Sequence, residues 1–123
     1  MNLLLDTHVL IWWDSGVELS QEAIAVIQGA RQVFVSAASA WEIAIKAEMG
    51  KIRSTRTVAD ACEAAGFEEL PVTFAHAAAV QRLKRVHRDP FDRLLVAQAR
   101  VEGLTVVTRD PVFARYGVRV VGV

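Results

Sequence analysis

The sequence predicts an α/β fold built on a parallel sheet, and three observations carry that prediction. Five short apolar runs are separated by longer stretches with helical spacing. The runs read as apolar rather than alternating, as strands do when helices cover both faces of a sheet. The chain has 123 residues, 53% of them hydrophobic, which is enough for one domain over residues 1–123 to build a full core.

The elements follow in order. Asn2–Leu5 is a short strand that stops at Asp6, and Thr7–Ser15 is one or two helical turns. Ser20 caps a helix through Ala30, with Glu22 in its first turn. Val33–Val35 is a β-branched and aromatic strand. Ser36–Gly50 is a helix in which Ala37, Trp41, Ile45 and Met49 recur every fourth residue, and Gly50 ends it. Thr55–Ala65 is a further helix, stopped by Gly66. Phe67–Val72 is a strand that Pro71 pushes towards a sheet edge. Ala75–Leu83 is helical, Lys84–Arg88 is a basic loop, and Pro90–Glu102 is a helix with Leu94, Leu95 and Ala99 on one face. Leu104–Val107 is a strand, Pro111–Tyr116 a short helix, and Val118–Val121 the last strand.

Composition narrows the class. Apolar content and a net charge of zero (14 basic, 14 acidic side chains) exclude a disordered chain. Cys62 is the sole cysteine, which excludes a disulfide scaffold and suits a reducing compartment. The longest strongly apolar run, Val9–Trp13, is far short of a membrane span, and Leu3–Leu5 before Asp6 does not make a secretory signal. A cytoplasmic protein is expected. The zero balance hides an asymmetry: residues 1–79 carry 5 basic and 10 acidic side chains, residues 80–123 carry 9 and 4. A basic third points modestly to a polyanionic partner, although a solvated charged face explains it as well.

In parallel α/β folds, ligands bind beyond the carboxyl ends of the strands. Asp6 follows the first strand, Glu42 lies one to two turns past the second, and Asp110 follows the fourth. Asp92 reaches the same edge only if its helix enters from that side, after the long Leu83–Asp89 connection. Each acid also has a local explanation. Ser39-x-x-Glu42 fits a capping box. Asp89–Pro90 and Asp110–Pro111 fit helix starts, Asp92 would sit in a first turn, and Asp6 could cap the turn after its strand. Taken together they mean more, because carboxylates gathered at one edge repel one another unless a hard cation such as Mg²⁺ or Mn²⁺ sits among them. His8, His76 and His87 are scattered along the chain and suggest no zinc site.

At these residues the chain resembles the PIN-domain ribonucleases, most closely the VapC-like toxins of bacterial toxin–antitoxin pairs. The matching segments are Leu3–His8, Val35–Ile43, His87–Arg93 with Leu94–Ala99, and Val107–Asp110, in family order across nearly the whole chain. The resemblance implies a five-stranded parallel sheet flanked by helices and Mg²⁺- or Mn²⁺-dependent cleavage of RNA. It makes Asp6, Glu42, Asp92 and Asp110 the catalytic, metal-holding acids and brings Asp92 into their pocket. Thr108 looks like the hydroxyl residue that supports such a site, with Ser36 and Ser39 nearby. It also implies an antitoxin protein as partner and a homodimer.

Other residues admit two readings. Lys46 pairs with Glu42 at i,i+4, or contacts RNA. Arg88, Arg93 and Arg109 hold phosphates, or bridge to neighbouring carboxylates. Trp12, Trp13 and Trp41 stack on bases, or fill a core or a subunit contact; Trp12 and Trp13 also suit an antitoxin peptide. Cys62 reads as a small buried apolar residue, and His76 as a helix-surface residue. The alternative function is a non-catalytic RNA- or protein-binding module on the same scaffold. A phosphotransfer domain ranks last, because Asp6-Thr7-His8 lacks the second acid that such chemistry uses.

Overall fold

The fold was derived from a computed structural model that describes residues 1–16, 19–53 and 56–123. The elements run β1 (Asn2–Leu5), α1 (Thr7–Ser15), α2 (Gln21–Gly29), β2 (Gln32–Ser36), α3 (Ala37–Glu48), α4 (Val58–Ala65), β3 (Glu68–Leu70), α5 (Phe74–Gln81), α6 (Pro90–Glu102), β4 (Thr105–Thr108), a 3-10 helix (Pro111–Tyr116) and β5 (Val120–Gly122). The strands form one sheet in the order β3-β2-β1-β4-β5. All four pairings are parallel, with Leu4 opposite Phe34 on one side and Val106 on the other.

The sequence placed these elements closely, and the differences have local causes. α4 begins at Val58, because Thr57 accepts a hydrogen bond from the Asp60 amide and caps it; the expected start at Thr55 lies outside the described residues. The expected strand Phe67–Val72 is trimmed to three residues and takes the sheet edge, as Pro71 demands. The last strand starts at Val120 rather than Val118, because Gly117 at φ 78° closes the 3-10 helix and the chain needs two residues to come back into register.

Alternation along each strand builds two cores. Leu4, Val106 and Phe34 point to the face covered by α5, α6 and the 3-10 helix, where Leu95, Val96 and Phe113 are buried. Leu3, Leu5, Val33, Val35 and Val107 point to the other face, where Val9, Ile27, Ile43 and Cys62 lie. β1 is the central strand, and Leu3, Leu4 and Leu5 are all fully buried. At about 1.5–3 kcal/mol for each buried leucine, this strand anchors both layers. Asp6, the next residue, is therefore held at the middle of the carboxyl edge, its amide donating to the Val107 carbonyl at 3.0 Å. Among the described residues, no helix is long and apolar enough to cross a membrane.

Candidate active site

Asp6 stands at the N-cap position of α1, yet its side chain makes no capping bond. Its carboxylate turns to β4 instead, where Oδ2 accepts from the Thr108 hydroxyl at 2.7 Å. Its Oδ1 is buried and meets no hydrogen-bond partner among the described residues. Burial pushes the Asp6 carboxyl upwards, and the Glu42 charge adds to this against the Thr108 hydrogen bond and His8, which pull it down.

Glu42 reaches the same edge on α3. The expected capping box with Ser39 does not form. β2 runs on to Ser36, whose hydroxyl caps α3 by accepting from the Ala38 amide. Ser39 thus falls inside the first turn, where its Oγ accepts from the Thr7 hydroxyl at 2.8 Å and ties α3 to α1. Glu42 is free of capping, and Lys46 holds its Oε2 at 3.0 Å in the i,i+4 pair. Glu42 Oε1 is buried and meets no hydrogen-bond partner among the described residues.

Asp92 arrives from the opposite layer. Asp89 caps α6, its Oδ1 accepting from the amides of Phe91 and Asp92. Asp92 sits in the first turn, with Oδ2 3.3 Å from His87 Nε2. Desolvation, then the charges of Asp89, Asp6 and Glu42, push its carboxyl up to about 7, against the His87 hydrogen bond. Asp92 therefore feels both other acids, and α6 enters from the carboxyl edge as the topology required.

Asp110 is placed differently. Its Oδ1 caps the 3-10 helix through the Val112 amide at 2.9 Å, as the Asp–Pro pattern predicted. It joins the site through its backbone: the Asp110 amide donates to the Thr108 hydroxyl at 3.0 Å, which in turn donates to Asp6. Among the described residues, no three His, Cys, Asp or Glu side chains stand close enough to hold one ion as they are. The charges of Asp6 and Glu42 nonetheless act on Asp92, and that of Glu42 acts on Asp6.

The flanking residues resolve as follows. Arg93 directs its guanidinium to the Lys84 and Val80 carbonyls and the Tyr116 hydroxyl, pinning the 82–89 connection to α6 rather than meeting a carboxylate. Arg109 lies over the Trp12 ring at 4.0 Å, and its Nε donates to the Val123 carbonyl. Trp41 is not a core residue: it is 64% exposed beside Glu42, its ring edge-on to Phe91. His76 is not on a helix surface. It is 0% exposed: Nδ1 accepts from the Thr73 amide and Nε2 meets Glu102 at 2.7 Å. The Gln98 amide bridges from it to Ser36, at 2.6 Å from that hydroxyl. Sequence reasoning missed this network and the His87–Tyr116 pair. The Thr73-x-x-His76 cap spacing was a signal for the first; nothing local points from His87 to Tyr116.

The protein-family model for the PIN domain matches residues 3–119. The chain belongs to the PIN-domain family. This PIN domain is 34% identical over 112 residues to ribonuclease VapC22 of Mycobacterium tuberculosis, an alignment that covers 88% of this chain and 86% of that one. The two are homologous. Its fold matches VapBC2 from Rickettsia felis bound to a promoter DNA fragment (TM-score 0.74, 13% identity, 99% and 98% of the two chains). It also matches DNA-bound VapBC from Salmonella typhimurium (TM-score 0.70, 19%, 99% and 98%) and FitAcB from Neisseria gonorrhoeae (TM-score 0.66, 22%, 96% and 95%).

Proposed function

We propose that this PIN domain is a divalent-metal-dependent endoribonuclease. In this reading it acts as a single domain over residues 1–123, in the cytoplasm, as the toxin of a toxin–antitoxin pair, silenced by its antitoxin and working as a homodimer. One observation carries the catalytic part. Asp6, Glu42 and Asp92 each have one carboxylate oxygen held by the protein, through Thr108, Lys46 and His87. On Asp6 and Glu42 the other oxygen is buried with no hydrogen-bond partner among the described residues. A buried carboxylate oxygen left bare costs stability, and a hard cation satisfies it. The donor set is all oxygen, which fits Mg²⁺ or Mn²⁺.

Asp6, Glu42 and Asp92 would hold the cation, with Asp110 as the fourth acid beside them. When bound, the cation lowers the pKa of a water and offsets charge that develops on the phosphodiester. The chain's own residues do the rest. Thr108 and Lys46 fix which oxygen of Asp6 and of Glu42 faces the site. The Thr7–Ser39 bond keeps α1 and α3 in register beneath it. One carboxylate of this set would take the attacking water's proton. Attack by water at phosphorus that breaks the P–O3′ bond, with the departing 3′-oxygen taking up a proton, would leave a 5′-phosphate and a 3′-hydroxyl. The homology to a ribonuclease supports RNA as substrate, and the VapBC and FitAcB complexes support a partner protein.

The test is incubation of the antitoxin-free protein with a mixed RNA pool in Mg²⁺, in Mn²⁺ and in chelator, beside Asp92→Asn. Cuts that need metal and vanish in the variant are expected. A protein that neither cuts nor binds metal would instead be the non-catalytic binding module.

A further inference from the structure

We propose that His87 is a positioning residue for Asp92, locked by Tyr116 in the tautomer that carries its proton on Nε2. The inference rests on the reading of Asp92 as a metal-holding acid and adds the device that orients it.

The argument is a count of protons. A tyrosine hydroxyl has one O–H to donate and two lone pairs to accept with. The Tyr116 hydroxyl lies within reach of three nitrogens: the His87 amide at 3.3 Å, Arg93 Nη1 at 3.4 Å and His87 Nδ1 at 2.7 Å. The amide and the guanidinium can only donate, and they take both lone pairs. The O–H is therefore left to donate to Nδ1, the shortest of the three contacts. A ring that accepts at Nδ1 carries its hydrogen on Nε2. That nitrogen faces Asp92 Oδ2 at 3.3 Å, so it donates to the carboxylate.

The reverse arrangement, in which a protonated Asp92 donates to a bare Nε2, would put the hydrogen on Nδ1. Tyr116 would then face three donors with two lone pairs. The count disfavours it.

The surroundings make the lock firm. Tyr116 is buried, and the His87 and Asp92 side chains are each only 18% exposed, so water competes little. Arg93 is itself held by two backbone carbonyls. A chain Arg93–Tyr116–His87–Asp92 thus runs from the backbone of the 82–89 connection to the site. It fixes Asp92 Oδ2 and leaves Oδ1 for the cation, as Thr108 does for Asp6. Histidine so oriented raises the order of a metal-holding set without touching the metal.

The test has two arms, neither of which needs RNA cleavage. Long-range ¹H–¹⁵N spectra of the metal-free protein report which imidazole nitrogen of His87 is protonated; Nε2–H is expected. Calorimetric titration with Mn²⁺ then compares wild type, His87→Ala and His87→Gln, since the glutamine amide places a donor where Nε2 was. Loss of Mn²⁺ affinity by about 10–100-fold in His87→Ala is expected, with recovery towards wild type in His87→Gln. Thermal unfolding of each variant separates this from misfolding.

An Nδ1–H ring in wild type overturns the proposal, as does wild-type affinity in His87→Ala. Equal loss in both variants with unchanged unfolding also overturns it. A wild-type protein that binds no Mn²⁺ overturns the metal reading itself, and the proposal falls with it.

Discussion

Replacing Asp92 by asparagine should stabilise the metal-free protein at pH 8. In the fold, burial and the charges of Asp89, Asp6 and Glu42 move the Asp92 carboxyl up to about 7. In the unfolded chain an aspartate ionises near ~3.9. At about 1.36 kcal/mol per pH unit, the charged form is disfavoured in the fold by about 4 kcal/mol. That figure is a ceiling, because local relaxation and water entry return part of it. Between these two pH values the folded chain holds a proton that the unfolded chain has lost. Stability from this group is therefore complete below ~3.9 and lost as pH rises through 7. Asp6 is shifted in the same direction and adds to the slope.

Asparagine keeps the shape and the acceptor for His87 but carries no charge. In chelator at pH 8, Asp92→Asn should exceed wild type by about 2–4 kcal/mol, a large share of a typical ~5–15 kcal/mol total. The gap should close towards pH 4. Saturating Mg²⁺ should reverse the order, because a ligand stabilises the form that binds it. Urea unfolding followed by tryptophan fluorescence, with and without Mg²⁺, measures all three. A variant no more stable than wild type at pH 8 in chelator would refute the reasoning, since burial and the neighbouring acids would then not disfavour the Asp92 charge.

Two further outcomes follow from the hydrogen bonds. Thr108→Val removes the donor to Asp6 Oδ2 and the acceptor for the Asp110 amide at nearly constant volume; it should lower stability by about 2–3 kcal/mol, and a loss within ~0.5 kcal/mol by urea titration would count against the Asp6–Thr108–Asp110 link. His76→Leu leaves the Thr73 amide and the Gln98 amide without their buried acceptor; a loss of about 2–4 kcal/mol in the same assay is expected, with Mn²⁺ affinity unchanged, whereas a lost Mn²⁺ site would mean that the network reaches further than α3's first turn.

The sheet was legible because its signals are local. Apolar runs, glycines after helices and Asp–Pro starts are read within a few residues, and each fell close to its place. The position of Asp6 and Glu42 at the carboxyl edge was legible from their place after β1 and β2, whereas Asp92 was placed beside them only by the family resemblance. What stayed hidden was set by distant partners. His76 sits in an alanine-rich stretch that looks like a surface helix, and its partners Gln98 and Glu102 lie 22 and 26 residues away. Arg93 binds main-chain carbonyls, which no sequence pattern displays. Ser36 and Ser39 are equally good caps on paper, and only the length of β2 decides between them. The acids themselves were found as types of residue, but the held-oxygen, bare-oxygen pattern needs Thr108, Lys46 and His87 in space.

The central strand has a consequence for synthesis. β1 is made first, yet its neighbour β4 follows about a hundred residues later, and Thr108 is 102 residues from the Asp6 it holds. At ~5–20 residues per second, a nascent chain carries Asp6 for roughly 5–20 s before its partner exists. During that interval the first acid has neither its restraining hydroxyl nor the layer that brings Asp92. A ribosome stalled before β4 holds a chain whose first acids are made but unassembled, so the Asp6, Glu42 and Asp92 edge comes together only when the last strands are synthesised.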